Sequence, residues 1–480
     1  MKRIGNAAGK LNWGTRAYAV FVLCATTAIA LPAQTLTTLH SFDLTDGSQL
    51  QVGLVQATNG ALYGTTLVNA NSVSTVFRIT ASGALTTVHN FDNTDGFLPY
   101  GALVQATNGN FYGTTEVGGA GNGTVFKMTP GGTLTTLHTF AGADGEYPYG
   151  ALVQATNGSF YGVTDGGGTN YGTVFKITPS GTLTTIHIFD GTDGSGPLGG
   201  LIQATDGNFY GTTSGGGANS LGTVFKMTPG GTLRTLHSFD GTDGISPYAG
   251  LVQGTDGNFY GTTLNGGVNS GGAAAGGTVF QITPSGTLTT LHSFCYLEGQ
   301  CIDGGSPIAG LVQGTDGNFY GTTISGGVGT DPQGTVFKIT SSGTLTTLYT
   351  FCPQGPSVGL CTAGAYPEAA LVQDTNGKFY GTTDVGGAYN YGTVFSLSVG
   401  LGPFVETQTT SGKVGAPVKI LGTNLTGASS VGFNGTAAVF TVVSSSEITT
   451  TVPAGASTGK VEVVTPTRTL SSYVSFRVLP

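Results

Sequence analysis

Charge is scarce in this chain: only 8% of its 480 residues are charged. Disordered chains combine high charge with few aromatics, and with 26 Phe and 19 Tyr this one does the opposite. Sustained helical periodicity is absent, which excludes a helical bundle. A Gly-X-Y period is absent despite 84 glycines, which excludes collagen. Beyond the N-terminal segment no apolar run is long enough to span a bilayer. The only tryptophan, Trp13, lies in that segment.

Residues 1–33 read as an export signal. Lys2, Arg3, Lys10 and Arg16 form a basic start, residues 17–31 are apolar, and Ala30 and Ala33 offer cleavage positions. Cleavage near Ala33 is expected; the alternative is a retained anchor helix. Removal takes four of the 16 Lys/Arg and leaves 12 against 24 acidic residues. That excess disfavours nucleic acid or an anionic membrane as partner. A secreted or cell-surface monomer is expected, with no transmembrane segment after cleavage.

What is abundant is repetition. One unit reads LTTLHSFDGTDG, then SPYAGLVQGTDGNFYGTT, then a Gly-rich stretch, then GTVFKITPSGT. It recurs at Leu36, Leu85, Leu134, Leu183, Leu233, Leu288 and Leu345. Each unit offers four short strands: LTTLHSF, GLVQAT, NFYGTT and TVFKIT. NG or DG between the second and third is a hairpin signal, and TPSGT follows the fourth. Four strands repeated seven times predict an all-β, seven-bladed β-propeller over residues 34–400; the alternative is a β-solenoid. GLVQAT reads as the strand nearest the axis and LTTLHSF as the outermost. The chain then begins on an outer strand, residues 36–42, which is expected to complete the last blade and close the ring without a covalent link.

The unit resembles the Gloeo-Verruco (GloVer) tandem repeat of bacterial exported proteins. The matching residues are Tyr210-Gly211-Thr212-Thr213, a Gly-rich linker, and GTVFKMT at residues 222–228. The resemblance implies export and a repeat fold, and no defined reaction. Residues 401–480 lack the repeat. Their segments Val418-Lys419-Ile420-Leu421-Gly422 and Val431-Gly432-Phe433-Asn434-Gly435 resemble an IPT/TIG domain. That resemblance implies an immunoglobulin-like β-sandwich used as a spacer or adhesion module; short alternating strands agree.

Most recurrent residues read as builders of the ring. His40, His89, His138, His187, His237 and His292 share one repeat position, with Tyr349 in the seventh unit. One histidine per blade is too dispersed for a zinc site, whose ligands lie within about 2.3 Å of one ion. Asp190, Asp193, Asp240 and Asp243 sit in loops that either make Asx turns or hold Ca²⁺, the one cofactor considered. Gln56, Gln105, Gln154, Gln203, Gln253, Gln313 and Gln373 either line a channel or bond neighbouring blades. Tyr63 and its six equivalents read as packing residues. Cys295 and Cys301 share one inserted loop, Cys352 and Cys361 the next. Export favours two local disulfides, and a Cys₄ metal site is the alternative.

No GxSxG, P-loop, HExxH or Ser/His/Asp grouping is present. Length varies only in two loop types, which open on one face of a propeller; the longest are 264–277, 295–307 and 352–367. Insertions gathered on one face mark a binding face. Tyr100, Tyr149 and Tyr248, each following a proline, enter that face and either stack on a sugar or peptide or cover the channel mouth. The expected function is a binding or adhesion module for an extracellular glycan or protein. The alternative is a propeller lyase or hydrolase acting on an extracellular polymer, although no catalytic residues are assigned.

Overall fold

The computed structural model describes residues 34–119, 121–268, 276–295, 301–355 and 361–480. The expected export signal, 1–33, lies outside them, as do parts of the three longest loops. Among the described residues no helix is long and apolar enough to cross a membrane.

The repeats fold into seven four-stranded antiparallel sheets. In the first, strand a is Val55–Gln56, strand b Leu62–Thr66, strand c Thr75–Ile79 and strand d Leu85–Asn90. The other sheets repeat this order. The seventh takes strands a to c from Val372–Gln373, Phe379–Thr383 and Thr393–Ser398, and its strand d is the N-terminal Thr35–Ser41. Thr35 pairs with Ser398 and Ser41 with Thr393, antiparallel.

Burial follows strand position. Strand b is buried throughout, strand c exposes only its Lys, Arg or Gln to any degree, and strand d is half exposed. Alternation alone would expose every second residue of strand b; sheets packed on both sides bury both faces. Each hydrophobic cluster draws on two successive sheets. Tyr63, Val76 and Phe91 of the first sheet pack with Leu103, Phe111 and Phe126 of the second. Phe42, Tyr380 and Val394 of the seventh pack with Leu54, Leu62 and Phe77 of the first. Strand b leaves no room for a side chain at its glycine: a Cβ at Gly211 would lie 2.6 Å from Phe225 Cζ and 2.8 Å from Leu201 Cδ2. This explains the glycine that all seven copies of strand b share, without any unusual φ.

The buried threonines of strands b and c are paired, as their desolvation cost demands. Thr66 and Thr75 share an Oγ1–Oγ1 hydrogen bond of 2.8 Å, and the same pair recurs in the other six sheets. The tyrosine of strand b buries its ring and bonds the N/D of the preceding turn, as Asn59 Nδ2 to Tyr63 Oη at 2.9 Å and Tyr210 Oη to Asp206 at 2.9 Å. The NG/DG dipeptide is thus a turn and a partner for the tyrosine.

The seven glutamines bond neighbouring sheets. The Thr58 N–H donates to Gln105 Oε1 at 2.8 Å, Thr107 to Gln154, Thr156 to Gln203, Thr205 to Gln253, Thr255 to Gln313 and Thr315 to Gln373. The seventh link runs from Thr375 N–H to Gln56 Oε1 at 3.0 Å and joins the last sheet to the first.

The C-terminal region forms two further four-stranded sheets. One orders Val405–Thr407, Pro417–Gly422, Glu447–Thr451 and Phe440–Val442; the other orders Thr436–Ala438, Ser430–Phe433, Val461–Val464 and Thr469–Ser471. Val405, Ile420, Phe433, Ile448, Val461 and Phe476 fill the space between them. Ser411–Lys413 and Arg477–Leu479 add a short parallel pair.

Candidate functional site

The loop entering strand a and the loop leaving strand b meet on one side of every sheet. A single β-bridge ties them in all seven, from Ser48–Val68 and Phe97–Val117 to Ala365–Val385. The residue just before the proline of the entering loop has a positive φ: 57° at Leu98, 58° at Tyr147, 53° at Ser246 and 55° at Tyr366. Only at Gly196 is it a glycine, although a side chain costs energy in this region. Hydrogen bonds hold the residue there. Tyr147 donates its N–H to Asn122 and accepts from the Asp165 N–H at 3.0 Å. Leu98 O and Tyr366 O likewise accept the N–H of Glu116 and Asp384. The strained residue therefore sets two side chains beside each other: the one after the proline, and the one after YGTT.

Those two positions do not repeat. The first reads Gln51, Tyr100, Tyr149, Leu198, Tyr248, Ile308 and Glu368; the second reads Leu67, Glu116, Asp165, Ser214, Leu264, Ile324 and Asp384. The acidic members, Glu116, Asp165, Glu368 and Asp384, fall on the second, third and seventh sheets. Tyr100 and Tyr149 pack with ring centroids 5.0 Å apart and planes at 39°. Tyr149 donates its hydroxyl to Glu116 Oε1 at 2.7 Å. Gln51 Nε2 reaches Asp384 Oδ1 at 3.3 Å.

Electrostatics show how closely these groups gather. Burial first, and then the charges of Glu116, Glu368 and Asp384, raise the Tyr100 hydroxyl. Burial and the bond to Glu116 raise Tyr149. Burial and Glu116 raise Asp165. Burial, with Asp384 adding, pushes Glu368 up to about 7. Burial also raises Asp384, against the bond from Gln51. The result is a half-buried aromatic pair with Glu116 bonded to Tyr149 and the Asp165, Glu368 and Asp384 carboxyls within electrostatic reach. Among the described residues no three His, Cys, Asp or Glu side chains are arranged to hold a metal ion.

The structure brings Tyr100 and Tyr149 together; Tyr248 is exposed and, among the described residues, makes no ring contact. Sequence reasoning missed Glu116, Asp165, Glu368 and Asp384. Their signal was departure from the repeat at positions the ring does not constrain. The loop aspartates are committed locally. Asp190 Oδ1 accepts from Thr192 N–H, Thr192 Oγ1 and Asp193 N–H, while Asp193 binds the Asp190 N–H and, at 2.8 Å, His187 Nε2. Asp240 and Asp243 repeat this arrangement with His237. Every histidine has such a partner: His40, His89, His138, His187 and His237 six residues away, His292 with Asp303. The seventh unit replaces both members, with Tyr349 and Ala363. Cys295 bonds Cys301, and Cys352 bonds Cys361.

Seven copies of one four-stranded antiparallel unit followed by a two-sheet module define an all-β tandem-repeat protein. A family model described as the Gloeobacter/Verrucomicrobia repeat matches residues 24–205 and 169–395, and the chain belongs to that family. An IPT/TIG domain model matches residues 403–478. No curated protein matches the chain. Among solved structures, hydrazine synthase of Kuenenia stuttgartiensis is 12% identical, with 72% of this chain and 95% of that chain covered and a TM-score of 0.44. A gluconolactonase from Xanthomonas campestris is 12% identical, covering 76% and 90%, at 0.37. An auxiliary nutrient binding protein from Bacteroides thetaiotaomicron is 14% identical, covering 76% of each chain, at 0.39.

Proposed function

We propose that the seven sheets close into a seven-bladed β-propeller, and that the protein is an exported module binding a hydroxyl-rich extracellular ligand, a glycan, at the mouth on its insertion face. The observation that carries this reading is the Tyr100–Tyr149 pair beside Glu116. A half-buried aromatic surface edged by carboxylates suits a sugar ring: the apolar face stacks and the hydroxyls donate to the acids. Closure is supported by the Thr375–Gln56 link and by Thr35–Ser41 lying in the seventh sheet. Export is supported by the two disulfides, which persist in oxidising compartments, and by the TIG match. The excess of acidic over basic residues disfavours a nucleic-acid partner.

Glycan-array binding tests this. The Tyr100→Ala/Tyr149→Ala variant is expected to lose at least about ten-fold in affinity, the worth of roughly 1.4 kcal/mol of stacking. Tyr248→Ala should bind as the parent does. Undiminished binding by the double variant would sink the proposed mouth.

One observation favours a second reading, a lyase or hydrolase. Glu368, held at about 7 beside Asp384, has the poise of a general acid at neutral pH. Turnover of a polysaccharide that disappears in Glu368→Gln while binding persists would favour it.

A further inference from the structure

The C-terminal domain does not stand off from the repeats. The joining segment is packed down: the Phe404 N–H donates to Thr375 O at 3.0 Å. A Cβ on Gly377 would lie 2.4 Å from Leu401 O and 2.6 Å from Gly402 O. The domain meets the repeats on the NG/DG-turn side, opposite the insertion loops. Gln408 Nε2 donates to Gln105 O at 3.2 Å and Ala106 O at 3.0 Å. Ser446 Oγ donates to Thr58 O at 2.8 Å, and Thr423 Oγ1 lies 3.0 Å from Thr375 Oγ1. Farther round, Arg477 reaches Thr205 O, and Tyr473 Oη lies 3.4 Å from Thr255 Oγ1.

These contacts are not spread evenly over seven equivalent turns. The threonine of the glutamine relay is exposed at Thr107, Thr156, Thr205 and Thr255 and half-buried at Thr315. At Thr58 and Thr375 it is buried, 8% and 0% exposed. Those two turns flank one place. The chain links each sheet to the next by running from strand d to strand a. The pairing of Thr35–Ser41 with Thr393–Ser398 inside the seventh sheet joins the two ends of the repeat array without chain continuity. Thr375 belongs to the Thr393–Ser398 side of that seam. Thr58 follows strand a of the first sheet, which the chain reaches directly from Thr35–Ser41.

We infer that the C-terminal domain is a clasp: it grips the turns on both sides of the seam and keeps the N-terminal strand from peeling out of the seventh sheet. Peeling the strand moves the first sheet relative to the seventh, and a domain bonded to both resists that separation. The same placement covers the turn side of the array, which leaves the insertion face as the open one. The inference rests on the closed-ring reading. It gives the domain an intramolecular partner, the repeat array of its own chain, in place of a spacer role.

Hydrogen exchange on the full chain tests it. In Ser446→Ala/Thr423→Val the amides of Thr35–Ser41 should exchange at least about ten-fold faster, while those of Phe160–Thr164 stay unchanged. Arg477→Ala, which loosens the domain far from the seam, should leave Thr35–Ser41 unaffected. Ile420 and Ile448 amides report whether the domain itself remains folded. Should their protection fall, Thr375→Cys/Thr423→Cys decides: oxidation should slow seam exchange relative to the reduced form. Unchanged seam exchange in the folded double variant, or no difference on oxidation, overturns the clasp. Unprotected Thr35–Ser41 in the parent would overturn the closed ring instead.

Discussion

Gly211 and Asp374 show how differently two residues can depend on the same scaffold. Gly211 sits where Phe225 and Leu201 leave no space for a methyl group. Gly211→Ala should therefore cost about 2 kcal/mol through overpacking, read as a fall in melting temperature. Asp374 occupies a position that is Ala57, Ala106, Ala155 and Ala204 in the first four sheets. It is 3% exposed, and burial pushes its carboxyl up to about 6. A raised carboxyl favours the protonated folded state. Its contribution is therefore favourable at acid pH and is lost as pH rises from the unfolded value near 4 through about 6. Asp374→Ala should raise the melting temperature at pH 8, by on the order of 2 kcal/mol in stability, and change little at pH 4. Equal effects at both pH values would show that charge burial is not the cause. The histidine reading gains its reason at this scale: each ring anchors the aspartate that shapes the next loop, as His187 does Asp193.

Among the elements, the two-residue strand a depends most on its neighbours. Val153–Gln154 is too short to hold itself, and it is fixed by the relay from each threonine to the next glutamine. The relay predicts unequal costs for one substitution. Gln154→Ala frees the N–H of the exposed Thr107, which water then serves, and should cost under about 1 kcal/mol. Gln56→Ala strands the N–H of Thr375, which is fully buried, and should cost about 2 kcal/mol. Denaturant melts of the two variants check this, and equal costs would refute it. Deleting residues 35–41 should be worse than either, because it leaves Thr393–Ser398 as an open edge in the seventh sheet. Lost solubility or a broadened unfolding transition is the expected readout.

The whole molecule has two unlike faces. One carries the NG/DG turns, nearly constant in length, and meets the C-terminal domain. The other carries the insertions, the disulfide loops and the Tyr100–Tyr149 pair with its neighbouring carboxyls. Length constancy thus tracks an internal contact, and length variation tracks an open surface. Even the mouth is uneven: its acids come from the seventh, second and third sheets, while Leu198, Ile308, Leu264 and Ile324 fill equivalent places elsewhere. The polar arc should therefore orient an elongated ligand to one side. Because Glu368 is held near 7, ligand affinity should change between pH 6 and 8 as its carboxyl loses a proton. Titration calorimetry across that range checks this, with Glu368→Gln expected to flatten the dependence.

Much was legible in the residues alone. Seven repeats, four strands in each, the hairpin turns, and the N-terminal strand's likeness to the other outer strands all follow from periodicity and turn chemistry, which are local properties. Local cysteine pairs followed from loop proximity and compartment. The tertiary structure decided what depends on distance across the fold. It paired Tyr100 with Tyr149, set Glu116 against Tyr149 with Asp165, Glu368 and Asp384 in electrostatic reach, and placed the C-terminal domain over Thr58 and Thr375. A repeat announces the residues that build it because the same packing recurs seven times. The residues that vary between units are not announced by the repeat, and only the arrangement of the sheets brings them together.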